Sequence, residues 1–199
     1  MTTGRAAPRG AGADDFRTLS ALLGRAFVDD PGWAWIYPRP DRARRLEKMF
    51  TSLLAAAYRR SAVVLCDEAR RGAAIWQRSE RRDLGRRGNL AMAVAMARGG
   101  ADLRRCGVLA RALESCHPSE PHWYLATLGT DPAHEGAGVG SSLVRHHLDG
   151  PASRGEAAYL EVLTEANLAF YARFGFAVIG EVDVPSDGPH VWQMWREAL

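Results

Sequence analysis

The residues between Leu128 and Val144 have the types and spacing most suited to chemistry. They read Leu128-Gly129-Thr130-Asp131-Pro132-Ala133-His134-Glu135-Gly136-Ala137-Gly138-Val139-Gly140-Ser141-Ser142-Leu143-Val144. A strand-like run, Trp123 to Thr130, meets a helix-like run through a glycine-rich turn. Glycine lets a backbone approach a ligand closely, and the N–H groups of such a turn converge at a helix N-terminus, where the helix dipole favours negative charge. The spacing predicts an anion site suited to the pyrophosphate of a nucleotide-containing cofactor. Two common phosphate loops do not fit. The dinucleotide fingerprint G-x-G-x-x-G needs glycine at position 141, where Ser141 stands, and its acidic partner on the next strand is present only loosely as Glu156 or Glu161. A nucleoside-triphosphate loop needs Gly-Lys-Ser/Thr, and the turn has no lysine. Taken alone, the same string also serves as a tight structural turn.

The elements that must position this turn follow from hydrophobic periodicity. Residues 1–12 are expected to be a flexible tail with at most a short first strand, and 13–199 a single domain. Asp14 is expected to cap a helix running to about Val28, with Phe16, Leu19, Leu22, Leu23 and Phe27 on its apolar face. Asp29 to Pro40 reads as a proline-punctuated loop carrying Trp33, Trp35 and Tyr37. Asp41 opens a second helix reaching about Arg59. Ala62 to Cys66 and Gly72 to Trp76 read as a strand pair. Gly85 to Ser115 has helical pattern, interrupted at Gly99-Gly100. A strand from His122 to Thr130, a helix from Gly136 to Leu148, a strand from Tyr159 to Leu163 and a short helix from Ala166 to Phe174 follow. Phe176 to Val184 and His190 to Trp195 close the chain as two strands. This order predicts an α/β chain, in the α+β sense of a mixed sheet with helices on both faces.

Composition narrows the classes of partner. The 199 residues are 47% hydrophobic, enough to bury a core. The net charge is +3 and Lys48 is the only lysine. The arginine runs at 42–45 and 81–87 are not interleaved with stacking aromatics, which argues against nucleic acid as a partner. Cys66, Cys106 and Cys116 show neither metal spacing nor a disulfide framework, and Cys116-His117 lacks a second pair to complete a zinc site. Reduced thiols suit a cytoplasmic location. The first dozen residues have no apolar stretch of the secretory kind, and no run of about 20 apolar residues suggests a membrane span. Monomer and homodimer both remain open, because the Ala-rich helices at 89–114 suit either internal packing or an interface.

The strand–Asp131-Pro132…Gly136-x-Gly138-x-Gly140–helix arrangement resembles the acetyl-CoA-binding motif of the GNAT N-acetyltransferases. A second stretch, Asn167-Leu168-Ala169-Phe170-Tyr171-Ala172-Arg173-Phe174-Gly175-Phe176, is similar to that family's N-x-x-x-Y-x-x-x-G-F signature, and the two occur in the family's order. The resemblance covers roughly residues 14–199 and is densest over 120–199. Ser119 to Gly129 and the tail from Asp183 to Met194 look like the corresponding parts of the members that acetylate puromycin. Glu135 departs from the pattern, standing where the family has Gln or Arg.

The resemblance implies a splayed sheet, with acetyl-CoA in the cleft where the strand at 123–130 leaves the strand at 158–163. Leu128, Gly129 and Thr130 would meet the pantetheine arm, Asn167 would contact the CoA arm, and Glu135, Gly136, Ala137, Gly138, Val139, Gly140 and Ser141 would cradle the pyrophosphate. Tyr171 takes the family's general-acid position, protonating the departing thiolate. His122 stands where some members place a base, and Glu161 is an alternative base or substrate anchor. Asp29, Asp30, Trp33, Trp35 and Tyr37 fall in the acceptor-binding loop. The implied activity is acetyl transfer to a primary amine of a small molecule, such as an aminoacyl-nucleoside antibiotic like puromycin or a related metabolite, by direct attack in a ternary complex. The alternatives are a protein or peptide N-acetyltransferase and a non-catalytic acyl-CoA-binding protein. As bare residues, Tyr171 is also a core tyrosine, Asn167 a helix cap, His122 a strand-end histidine, Glu161 an arginine partner, and the loop aromatics packing groups.

Overall fold

Seven strands form one sheet in the order β1-β2-β3-β4-β5-β7-β6. The computed structural model describes residues 7–38, 40–59, 62–81 and 85–199, and for 58, 59, 81 and 85–91 the backbone alone. Arginines 81–87 therefore lie outside the described side chains. Strands β1 (Pro8–Gly10), β2 (Val63–Asp67), β3 (Gly72–Arg78) and β4 (Trp123–Thr130) pair antiparallel in succession. The expected tail thus contributes an edge strand at Pro8–Gly10. Its Arg9 meets Asp15 at 2.8 Å, and Arg70 meets the same carboxylate at 2.5 Å. Asp15 is buried for this reason, and the helix start expected at Asp14 is instead a short 3-10 turn, Ala13–Asp15, leading into α1 (Phe16–Ala26).

Side chains of β2 and β3 alternate across the sheet, as a period of two requires. Val64, Cys66, Ala73 and Ile75 join a core with α1 and α3 (Arg42–Arg59) on one face. Leu65, Ala74 and Trp76 join a second core with α6 (Val139–Leu148) on the other. Helices on both faces of a mixed sheet agree with the sequence-based expectation.

The segment expected as a loop after α1 contains a six-residue helix, α2 (Pro31–Ile36). Asp30 caps it, its side chain accepting the Trp33 N–H at 3.0 Å, and Pro31 sits in the first turn, where its missing N–H costs nothing. Between β3 and β4 the chain makes α4 (Gly85–Arg98) and α5 (Leu103–Ser115). Gly100, at φ +80°, ends α4 in the left-handed region that glycine tolerates. Asp102 caps α5 by accepting from the N–H groups of Arg104 and Arg105. Arg105 also donates to the Trp35 carbonyl at 2.8 Å, and Arg45 to the Gly99 carbonyl at 2.6 Å, which tie this helical pair to α2 and α3.

The last part of the chain closes the sheet. Strand β5 (Ala158–Val162) pairs parallel with β4 and antiparallel with β7 (His190–Arg196), and β6 (Ala177–Asp183) forms the far edge. The helix expected from Ala166 is shorter, a 3-10 turn at Glu165–Asn167 followed by α7 (Leu168–Ala172). No helix among the described residues is long and apolar enough to cross a membrane.

Candidate active site

The site begins with a break in the sheet. Strands β4 and β5 share register only at Trp123↔Ala158 and Tyr124↔Tyr159. On its other side β4 continues to Thr130↔Gly72, with a shift of register between Ile75 and Trp76. Ile75 faces Thr127 and Trp76 faces Leu125, so Ala126 is the extra residue of a bulge. A bulge bends its strand and sharpens the twist. Beyond Tyr124, β4 runs free of β5, and its backbone groups on that side face a gap rather than a neighbour.

A cavity of about 1010 Å³ occupies the gap. Its floor is Tyr124 to Leu128 of β4 with Glu161 to Leu163 of and after β5. Asn167 and Tyr171 approach from α7 and the turn before it. Its roof is apolar and comes from α2, α4 and α5, including Trp33, Met96, Leu109 and Leu113. Four carboxylates line it, Asp30, Glu80, Glu114 and Glu161, and no lysine, arginine or histidine does so among the described residues. That asymmetry stands out in a chain with 26 basic residues. Burial raises the Asp30 pKa above the ordinary carboxylate value, against the Trp33 and Gly32 N–H groups that lower it. Burial also pushes the Tyr171 phenol above its ordinary value, so Oη keeps its proton.

The glycine turn adjoins one end of this cavity. Gly136 and Gly138 have φ of +73° and +77°, the left-handed region, and no side chain caps α6. The first N–H groups of a helix have no partner within it, so those of Val139, Gly140 and Ser141 are available to an anion. A Cβ on Gly140 would stand 3.4 Å from Thr130 Oγ1 and 3.9 Å from Leu128 Cδ2, so the turn is seated against the end of β4. Asp131 fixes the approach: it caps the 3-10 turn Pro132–His134 and forms an ion pair with Arg25 of α1. The donor set fits a pyrophosphate, because these are main-chain N–H groups and none depends on a side chain. Glu135 and Ala137 are exposed. Neither nearby arginine faces Glu135: Arg145 lies over the Phe174 ring at 5.4 Å, and Arg154 donates to the Asp149 carbonyl.

The sequence-predicted residues divide around this geometry. Tyr171, Asn167, Leu128, Glu161, Asp30 and Trp33 line the cavity. Asn167 makes no cap hydrogen bond at the start of α7. Gly129 and Thr130 do not line it; Gly129 is packed under α1, where a Cβ would come within 2.6 Å of Leu23 Cδ2. The acceptor group is only partly assembled. Asp29 is exposed and outside the cavity. Trp35 packs beneath the Arg105 guanidinium, 5.3 Å from its ring centroid, and Tyr37 is a core residue with no exposure, its pKa pushed by burial to about 12. Helix α2 and its flanks explain the division, since its six residues direct only some of these side chains inward.

His122 stands apart from the cavity. It is fully buried and does not line the cavity. Its Nδ1 lies 2.7 Å from the Glu120 carbonyl and its Nε2 lies 3.1 Å from Nε2 of His117. His117 Nδ1 in turn lies 3.4 Å from Oε1 of Glu161. His122 therefore reaches the cavity only through His117, a residue that sequence spacing suggested only as half of an incomplete zinc pair. The roof residues of α4 and α5 and the carboxylates Glu80 and Glu114 carried no motif either.

Residues 92–178 match the sequence model of the acetyltransferase (GNAT) domain. Over 97% of its length the chain superposes on 96% of a histone acetyltransferase HPA2 and related acetyltransferase from Corynebacterium glutamicum, with a TM-score of 0.70 and 27% identity. An N-acetyltransferase from Staphylococcus aureus shares the fold at a TM-score of 0.58 and 17% identity, over 96% of this chain and the whole of the other. A 56-residue stretch, 27% of this chain, is 46% identical to N-alpha-acetyltransferase RimI of Mycobacterium tuberculosis, and the match spans about a third of that relative's length (34%). The splayed mixed sheet and the glycine turn agree with these likenesses: residues 92–178 match a GNAT acetyltransferase domain, the kind that takes its acetyl group from acetyl-CoA.

Proposed function

We propose that the protein is an acetyl-CoA-dependent N-acetyltransferase whose acceptor is the primary amine of a small, partly apolar cation. The observation that carries this reading is the cavity lining: four carboxylates and an apolar helical roof, with no basic side chain among the described residues. Such a lining favours an ammonium group over an anion, and the aromatic and aliphatic roof favours a planar or hydrocarbon body. An aminoacyl-nucleoside such as puromycin has both features, and the likeness of Ser119–Gly129 to puromycin-acetylating members supports that class.

Bound acetyl-CoA supplies an activated acetyl thioester, and the chain's residues bind, orient and manage protons around it. The N–H groups of Val139, Gly140 and Ser141 would hold the pyrophosphate, and Leu128 with Asn167 the arm leading from it to the cavity. The free side of β4 offers main-chain groups to an amide-bearing arm as a neighbouring strand would. An N–H near Leu128 would face the thioester oxygen, where negative charge develops. Tyr171 holds its proton at Oη and would give it to the thiolate leaving group. The exposed Glu135 side chain leaves the main-chain donors unobstructed.

The test is a panel of amines with acetyl-CoA, puromycin included, followed by free-thiol release. Turnover with amphiphilic monoamines and none with acidic amines is the expected result. Absence of turnover with every small amine would overturn it. The likeness to RimI favours a second reading, acetylation of a protein N-terminus. Turnover confined to peptides would select it.

A further inference from the structure

We infer that the pocket between α3 and the end of α4 is a second ligand site, separate from the acetyl-transfer cavity, which takes a small soluble anion bearing a phosphate group. The pocket has a volume of about 270 Å³ and is lined by Asp41, Arg44, Arg45, Lys48, Arg98 and Gly99. Four of those residues are cationic and one is acidic. None of them lines the cavity that holds the four carboxylates. The two concavities thus carry opposite charge, and the chain's only lysine lies in the basic one.

Arg45 prepares the site. Its Nε donates to Asp41 Oδ1 at 2.9 Å and its Nη1 to the Gly99 carbonyl at 2.6 Å. One guanidinium therefore engages the carboxylate of the lining together with a main-chain carbonyl, the groups that would otherwise repel an anion. The end of α4 is shaped to admit it. Gly100 has φ +80°, and a Cβ there would collide with Arg45 Nη1.

Arg44, Lys48 and Arg98 are left. Among the described residues, none of the three pairs with a carboxylate. Arg44 and Lys48 lie one turn apart on α3, where like charges oppose each other, and the first turn of that helix has no acid to offset them. A bound anion would relieve this repulsion. Two guanidinium forks and one ammonium suit a tetrahedral oxyanion, because arginine donates in pairs to phosphate oxygens and lysine adds a point charge. The volume is small for a ligand pocket, which limits the occupant to a phosphomonoester or a pyrophosphate. No aromatic side chain lines the pocket among the described residues, so nothing there stacks on a nucleobase. The anion would join α3 to the last turn of α4, two residues beyond Met96 in the cavity roof.

Calorimetry on the full chain saturated with coenzyme A, so that the glycine turn is filled, measures the binding of inorganic pyrophosphate. One saturable site per chain, tighter than about 1 mM, is the expected result. Arg98→Gln and Lys48→Gln change exposed side chains, and each should weaken binding by about 10-fold with coenzyme A affinity unchanged. Amide hydrogen exchange should slow at residues 44–48 and 96–100 when pyrophosphate is added, which locates the ligand without any variant and without turnover. Heat that does not saturate, wild-type affinity in both variants, or protection confined to the glycine turn overturns the inference. Equal affinity for malonate, a dianion without tetrahedral oxygens, overturns the assignment to phosphate. Binding to phosphatidylglycerol vesicles without binding of pyrophosphate overturns the assignment to a soluble anion. These outcomes hold whether or not any amine is acetylated.

Discussion

Tyr171 combines a protonated phenol with a place on the cavity wall, next to the α7 turn that also presents Asn167. Removing its hydroxyl takes away a proton donor and little packing. Tyr171→Phe is expected to lower kcat by about 100-fold with nearly unchanged KM for acetyl-CoA, measured by steady-state thiol release. Its position was legible in the sequence through the resemblance of Asn167–Phe176 to the N-x-x-x-Y-x-x-x-G-F signature. That His122 lies off the cavity wall was not legible, because chain position at a strand start does not tell which side of the sheet a ring enters. Packing between Tyr159 and Trp195 decided that, and both lie on strands remote in sequence. His117 had no local signal, since its partners arrive from β5 and from the turn after it.

Among the elements, the glycine turn and α6 translate spacing into an anion site. Gly138 precedes α6 at φ +77°, a conformation that costs any other L-residue about 1 kcal/mol or more. Gly138→Ala is therefore expected to lower thermal stability modestly and to raise KM for acetyl-CoA several-fold with a smaller change in kcat. A melting curve and steady-state kinetics on the same preparation separate the two effects. Helix α4 was legible in its stop at Gly99-Gly100, because a left-handed residue ends a helix cleanly. Helix α2 also had a legible start, Asp30 followed by Pro31, but its six residues were masked by the prolines around them. The bulge at Ala126 left no mark on the alternation of β4, and that bulge lies where β4 parts from β5.

At the scale of the whole molecule, the two cores respond to acid at different pH. Burial pushes the His147 imidazole, stacked on Trp76 at 4.2 Å, down to about 3. The unfolded chain takes up that proton near pH 6.5, the folded chain only at about 3, so stability present above 6.5 falls as the pH drops through this window. The Arg9 and Arg70 guanidiniums hold the Asp15 carboxyl well below the usual carboxylate range. Its contribution is present above about pH 4 and is lost only below it. Urea unfolding is expected to show a loss on the order of 1–2 kcal/mol between about pH 6.5 and 5. His147→Phe should remove that upper limb, since the His147 Nε2 it replaces is buried without a partner. Helices on both faces of a mixed sheet were legible from the order of periodic segments. The roof over the cavity was not, because the apolar face of α5 does not tell in the sequence what it covers.

The acidic side chains of the lining have a consequence for turnover on the proposed activity. A monoamine substrate would enter as a cation attracted by Asp30, Glu80, Glu114 and Glu161, and the amide formed from it would bear no charge. The reaction would thus erase the feature by which its substrate is recognised. The carboxylates that drew the cation in would have no charge left to hold, so accumulated amide would compete poorly with fresh amine.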